Sequence, residues 1–117
     1  MQLDRQNFDD TAVVRCTADR LDAASSVKFK GLFRGVADGA DNTGTDTGPK
    51  RFVLEMSTVQ FMDSSGLGAV VSVYKSLGEG VVLDLAGLTP PVERVFRLTK
   101  MDSIFKIFAS VDDALVS

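Results

Sequence analysis

The stretch FMDSSGLG, residues 61–68, places a carboxylate and two adjacent hydroxyls between an apolar run and a segment of helical periodicity. Leu67, Val70, Val71, Tyr74 and Leu77 recur at the spacing of one helix face, so Asp63, Ser64 and Ser65 fall at a helix start. A serine at a strand-to-helix junction first suggests a nucleophile. Hydrolase elbows carry G-x-S-x-G, whereas the residues two before these serines are Met62 and Asp63, and the chain has no His to act as base. Neither serine is followed three residues on by Lys, and Lys75 lies about three turns along the expected helix. The absence of His also removes the commonest metal ligand, and no cofactor is expected. Binding is therefore expected rather than catalysis.

Two readings of the motif remain. Asp63 or Ser64 would cap the helix by accepting hydrogen bonds from its exposed N–H groups. Capping leaves the second hydroxyl unexplained, and it leaves Gly66 and Gly68, each of which sacrifices about 1 kcal/mol of helix propensity relative to alanine. Close approach of another segment, or a need for bare backbone, would account for them. Alternatively, a serine here is a phosphorylation target. A phosphoryl group adds roughly 1.5 to 2 negative charges, and a helix N-terminus favours an anion, so modification need not unfold the domain. With Asp63 beside it, the added charge would act on a docked partner.

The elements that must position this motif are legible from periodicity and turn residues. At 117 residues the chain fits one domain, and 44% hydrophobic with 25% charged residues is ordinary globular usage. AVVRCT (12–17) reads as a strand, with LDRQNF before it as a short partner. Asp22 would cap a first helix carrying Phe29, Leu32, Phe33 and Val36, stopped at Gly39. Residues 39–49, rich in Gly, Thr and Asp, read as a flexible surface loop; they lack the order of a phosphate-binding loop. RFVLEM (51–56) and VVLDLAG (81–87) are strand candidates, with Gly78 and Gly80 ending the intervening helix. LTPPVERVFRLTK reads as a helix with Thr89 as its cap and Val92, Val95, Phe96 and Thr99 inward. SIFKIF is β-prone, and Ser110 would cap a terminal helix. Strands alternating with helices argue for an α/β domain with parallel neighbours.

Charge and cysteine usage narrow the partners. Thirteen basic and sixteen acidic residues give a net charge of −3 with no basic stripe, so direct nucleic-acid binding is not expected. No apolar run approaches the ~18 residues of a spanning helix, no signal-peptide pattern opens the chain, and a cytoplasmic location without membrane insertion is the expectation. Cys16, alone in an apolar run, reads as core filler.

FVLEMSTVQFMDSSGLGAVVSVYKSL resembles the central segment of bacterial STAS domains, in particular the anti-sigma factor antagonists, whose D-S-S-G passage carries a regulatory serine. The resemblance extends through VVLDLAGLTPPVERVFRLTKMDSIFKIFASVDDAL and, upstream, AVVRCTADRLDAASS, nearly the whole chain. It implies a single STAS domain over residues 1–117. The implied architecture is a mixed, mostly parallel sheet of four to five strands with about four helices. It further implies that the unphosphorylated protein binds an anti-sigma factor, which is also a serine kinase, and so releases a sigma factor. Ser64 would be the phosphorylation site, with a metal-dependent serine phosphatase restoring binding. Asp22, Asp63, Ser65, Gly66 and Gly68 would form the partner-binding surface. The alternative within the fold is an unphosphorylated scaffold or accessory subunit of a lipid-transport or sensory complex. Weak nucleotide binding at the helix start is a third possibility that no motif supports.

Overall fold

Each of the three central strands is an apolar run, AVV, FVL and VLDLA, of the kind that needs cover on both faces. A computed structural model, which describes residues 1–38 and 48–117, shows how that cover is provided. β1 (Leu3–Phe8) and β2 (Thr11–Cys16) form an antiparallel hairpin, and β4 (Arg51–Glu55), β6 (Val82–Ala86) and β7 (Ile107–Phe108) add in parallel, giving a five-stranded sheet in the order β1-β2-β4-β6-β7. The helical crossovers are α1 (Ser26–Asp38), α2 (Ser64–Ser76) and α3 (Pro90–Leu98). All three pack on one face. There Phe29, Phe33, Val70, Val73, Val92 and Phe96 meet Ala12, Val14, Phe52, Leu54, Leu83 and Leu85. The opposite face has a smaller cluster, Val13, Val53 and Ala86 beneath Val111 and Ala114 of the short α4 (Val111–Val116).

Two arginines tie this frame together. Asp84, the central polar residue of β6 and only 4% exposed, accepts a 2.7 Å hydrogen bond from Arg51 Nε. Arg51 Nη1 donates to the Ala114 carbonyl at 2.8 Å, so one guanidinium links two strands to α4. Arg5 reaches from β1 to the last turn of α1, donating to the carbonyls of Val36 and Ala37 at 2.8 and 3.3 Å, the polarity a helix C-terminus favours. Cys16 is buried as expected, and burial pushes its thiol pKa up.

Several boundaries differ from the sequence expectation, each for a local reason. The first helix begins at Ser26 rather than directly after Asp22, because the Asp22 carboxylate accepts from the N–H groups of Ala24 and Ser25 and shapes a turn first. The expected stop at Gly39 and the 39–49 loop, apart from Gly48 and Pro49, lie outside the described residues. α2 ends at Ser76, with Leu77 in extended conformation as its cap, before either Gly78 or Gly80; Gly80 instead takes a positive φ of 79° in the turn to β6. Thr89 occupies the cap position of α3 without capping it: its hydroxyl donates to the Val59 carbonyl at 2.7 Å. Thr99, expected inward, is exposed and its hydroxyl bonds back to Val95. Of SIFKIF only Ile107 and Phe108 are strand. Met101–Ser103 wind into a 3-10 turn that lets Phe105 bury edge-on against Tyr74 and Phe96.

Candidate functional site

The D-S-S-G motif opens α2, as its sequence context requires. Asp63, in extended conformation, is the cap, and its Oδ1 accepts from the Gly66 N–H at 3.0 Å. The carboxylate therefore takes the role that either Asp63 or Ser64 could have filled. Both serine side chains stay outside the capping hydrogen bond, and both residues are exposed. Ser64 is the first helical residue and Ser65 the second.

What holds the motif in place is a second, two-stranded parallel sheet that periodicity alone did not indicate. β3 (Arg20–Leu21) pairs with β5 (Phe61–Met62), Arg20 opposite Phe61 and Leu21 opposite Met62. Leu21 and Met62 point into the core, 0% and 4% exposed. One residue beyond this pairing, the Asp63 N–H donates to the Leu21 carbonyl at 3.3 Å. The pairing sets Asp22 and Asp63 side by side, each one residue past a strand end.

Gly66 is the contact that fixes this juxtaposition. A Cβ there would lie 2.9 Å from Leu21 Cβ and closer still to the Leu21 carbonyl oxygen, so the first turn of α2 rests directly on β3 backbone. Close approach thus explains one of the motif's two glycines. Gly68 has open space around it and is exposed, so the same reason does not extend to it.

Asp22 is held in a tight polar turn. Its carboxylate accepts from the N–H groups of Ala24 and Ser25 at 3.1 and 3.2 Å and from the Ser25 hydroxyl at 3.1 Å, and it pairs with Arg20 at 3.5 Å. Loss of solvent pushes its pKa up, but the Ser25 hydroxyl and amide, Arg20 and the Ala24 amide together outweigh that and hold it below the ordinary 3.8. The turn therefore presents an ionised carboxylate beside the start of α2. An open groove of about 570 Å³, lined by Thr17, Arg20, Asp22, Ser25 and Lys28 among others, runs along it.

The expected site residues Asp22, Asp63, Ser64, Ser65 and Gly66 are thus brought to one end of α2, with Gly68 one turn further along. Sequence reasoning missed Arg20, Phe61 and Ser25. Arg20-Leu21 and Phe61-Met62 alternate exposed and buried residues, but at two residues each, and with Phe61 itself apolar, neither stands out in the sequence as strand.

The pattern of STAS domains matches residues 2–114. The chain belongs to the STAS domain family. Within that family, a Thermotoga maritima protein named as a candidate anti-sigma factor antagonist is 35% identical over 69 residues, 58% of this chain and 61% of the relative. The anti-sigma F factor antagonist of Paenibacillus polymyxa is 37% identical over 65 residues, 55% of this chain and 53% of that protein. The matched segments thus span less than two thirds of the length of these curated relatives. Among solved structures, an anti-sigma factor antagonist from Mycobacterium paratuberculosis superimposes with a TM-score of 0.80 at 23% identity, over 98% of this chain and 91% of the other. At that identity the likeness is one of fold. The STAS architecture expected from the sequence, a mixed, mostly parallel sheet of four to five strands with about four helices, is the one observed among the described residues, with five strands in the main sheet and four α-helices. No described helix is long and apolar enough to cross a membrane.

Proposed function

We propose that this STAS domain is a cytoplasmic anti-sigma factor antagonist that works by binding rather than catalysis. In this reading the unphosphorylated form docks on an anti-sigma factor that is also a serine kinase, and a sigma factor is released. Phosphorylation on Ser64 ends the docking, and a metal-dependent serine phosphatase restores it. The observation that carries the reading is the division of labour at the start of α2: Asp63 caps the helix, leaving the exposed Ser64 hydroxyl available as an acceptor. Modification there leaves the cap intact. The added phosphate would join the Asp22 and Asp63 carboxylates at the same end of α2, so the change in charge falls on the interface rather than on the fold. The names of the Thermotoga and Paenibacillus relatives support the same role.

The test is incubation with ATP and the purified histidine-kinase-like ATPase encoded nearest the gene, followed by mass spectrometry and gel filtration. One phosphoryl group on Ser64, absent in Ser64→Ala, and loss of the complex on modification are expected. Full modification of Ser64→Ala, or a phosphorylated protein that binds undiminished, overturns the assignment. If no phosphoryl group is transferred to the wild type, the scaffold or accessory-subunit role takes its place.

A further inference from the structure

The alternation that buries Leu21 and Met62 turns the residues beside them, Arg20 and Phe61, outward as a directly opposed cross-strand pair. Phe61 is 46% exposed, one of the large apolar side chains left open to solvent. The guanidinium of Arg20 lies over its ring, 5.4 Å from the centroid, and the Arg20 side chain is itself 60% exposed. An Arg stacked on an aromatic ring at an exposed site adds little to stability, so the pair is not there chiefly for stability.

Among the described residues Arg20 has one charged contact, 3.5 Å from its Nη1 to Asp22, and a guanidinium carries five N–H donors in a fixed fork. Donors therefore remain for an acceptor from outside. Arg and aromatic residues are the types enriched where binding energy concentrates, ringed by polar groups that exclude water. Here the pair lies beside polar residues of the candidate site: Asp22 pairs with Arg20, and Asp63 and Ser64 follow β5 directly at the start of α2.

We infer that Arg20 and Phe61 form the anchor by which the Ser64 surface grips its partner. The occupant is the anti-sigma factor kinase, presenting a carboxylate to Arg20 beside an apolar side chain that covers Phe61. This rests on the function proposed above. The pair gives affinity, and Ser64 at its border sets whether that affinity can be used. It also accounts for a two-residue sheet kept apart from the main one: β3 and β5 carry the anchor and the switch on one rigid platform through Leu21 and Gly66.

Isothermal titration of the purified ATPase into wild type, Phe61→Ala, Arg20→Ala, Arg20→Lys and Leu98→Ala tests this, with phosphorylation of each variant followed in parallel. Leu98, 76% exposed on α3, is the control. Phe61→Ala is expected to raise Kd by about thirtyfold and Arg20→Ala by about tenfold, the range of interface anchors. Arg20→Lys, which keeps the charge and loses the planar fork, recovers only part. Leu98→Ala is expected to bind as wild type. Circular dichroism and melting confirm the fold of each variant. Wild-type binding that is lost on Ser64 phosphorylation but unchanged by Phe61→Ala and Arg20→Ala overturns the anchor and leaves the switch standing. Absence of any wild-type complex overturns both.

Discussion

Gly66 and Leu21 meet with no space for a side chain between them, although they lie 45 positions apart in sequence with the α1 crossover and β4 between them. Leu21 is fully buried and its carbonyl also accepts from Asp63 N–H, so the same peptide of β3 meets both the cap and the third residue of α2. The position of Asp22 relative to Ser64 is therefore set by backbone contacts and not by mobile side chains. A partner that reads both residues meets a preorganised surface, which reduces the ordering it must impose on binding.

The two glycines of the motif should respond in opposite directions. Gly66→Ala forces a methyl group against the Leu21 backbone, and overpacking of this kind costs about 1–3 kcal/mol. Gly68→Ala adds a methyl in open space within the helix and should stabilise by about 0.5–1 kcal/mol. Urea unfolding of the two variants checks this. Similar effects of both would mean that helix propensity, rather than contact with Leu21, governs Gly66.

Capping and phosphate acceptance also separate by mutation. Asp63→Ala removes the acceptor for Gly66 N–H and should lose about 1 kcal/mol, the usual value of an N-cap. Ser64→Ala, at an exposed first-turn position outside the cap, should change stability by less than about 0.5 kcal/mol. Thermal melts of the two proteins measure both. A Ser64→Ala variant as unstable as Asp63→Ala would show that the hydroxyl supports the fold.

Long elements were legible in the sequence because their burial pattern is periodic. The apolar runs of β2, β4 and β6 mark strands covered on both faces, and Leu67, Val70, Val71, Tyr74 and Leu77 repeat often enough to mark a helix with one apolar side. The platform beneath the site was not legible. β3 and β5 are two residues each, and their pairing depends on Leu21 and Met62 finding core contacts that no local pattern encodes. Thr89 illustrates the same limit at one residue: its type and its place before Pro90 suit a cap, yet the Val59 carbonyl takes its hydroxyl. D-S-S-G was readable because four adjacent residues carry it, whereas Arg20 and Phe61 join the site only through the fold.

The Arg51–Asp84 pair should behave as a unit. Removing either partner strands a charge in a mostly buried position, a loss of about 3–5 kcal/mol for such pairs. Asp84→Leu with Arg51→Met should lose much less than the sum of the single changes, since no unpaired charge remains. The double variant still lacks the bond from Arg51 to the Ala114 carbonyl, so amide exchange in α4 should be faster than in wild type. A double-mutant cycle by urea unfolding, with hydrogen exchange on α4, tests both statements. Additive losses would show that the two charges act independently.

Asp22 gives the site a pH dependence whose sign follows from its lowered pKa. The folded protein holds the carboxylate ionised more readily than the unfolded chain does, so its stabilising effect is complete above the unfolded value. The effect is lost as pH falls through the lower folded value. Asp22→Asn keeps an oxygen acceptor for the Ala24 and Ser25 amides but loses the charge that Arg20 pairs with. Wild type should therefore be more stable than Asp22→Asn at neutral pH. The difference should begin to shrink below about pH 5 and vanish once both states of the wild type are protonated. Urea unfolding of the two proteins across this range measures it. A difference that stays constant to low pH would mean that packing of the turn, rather than the ionised carboxylate, is what Asp22 contributes.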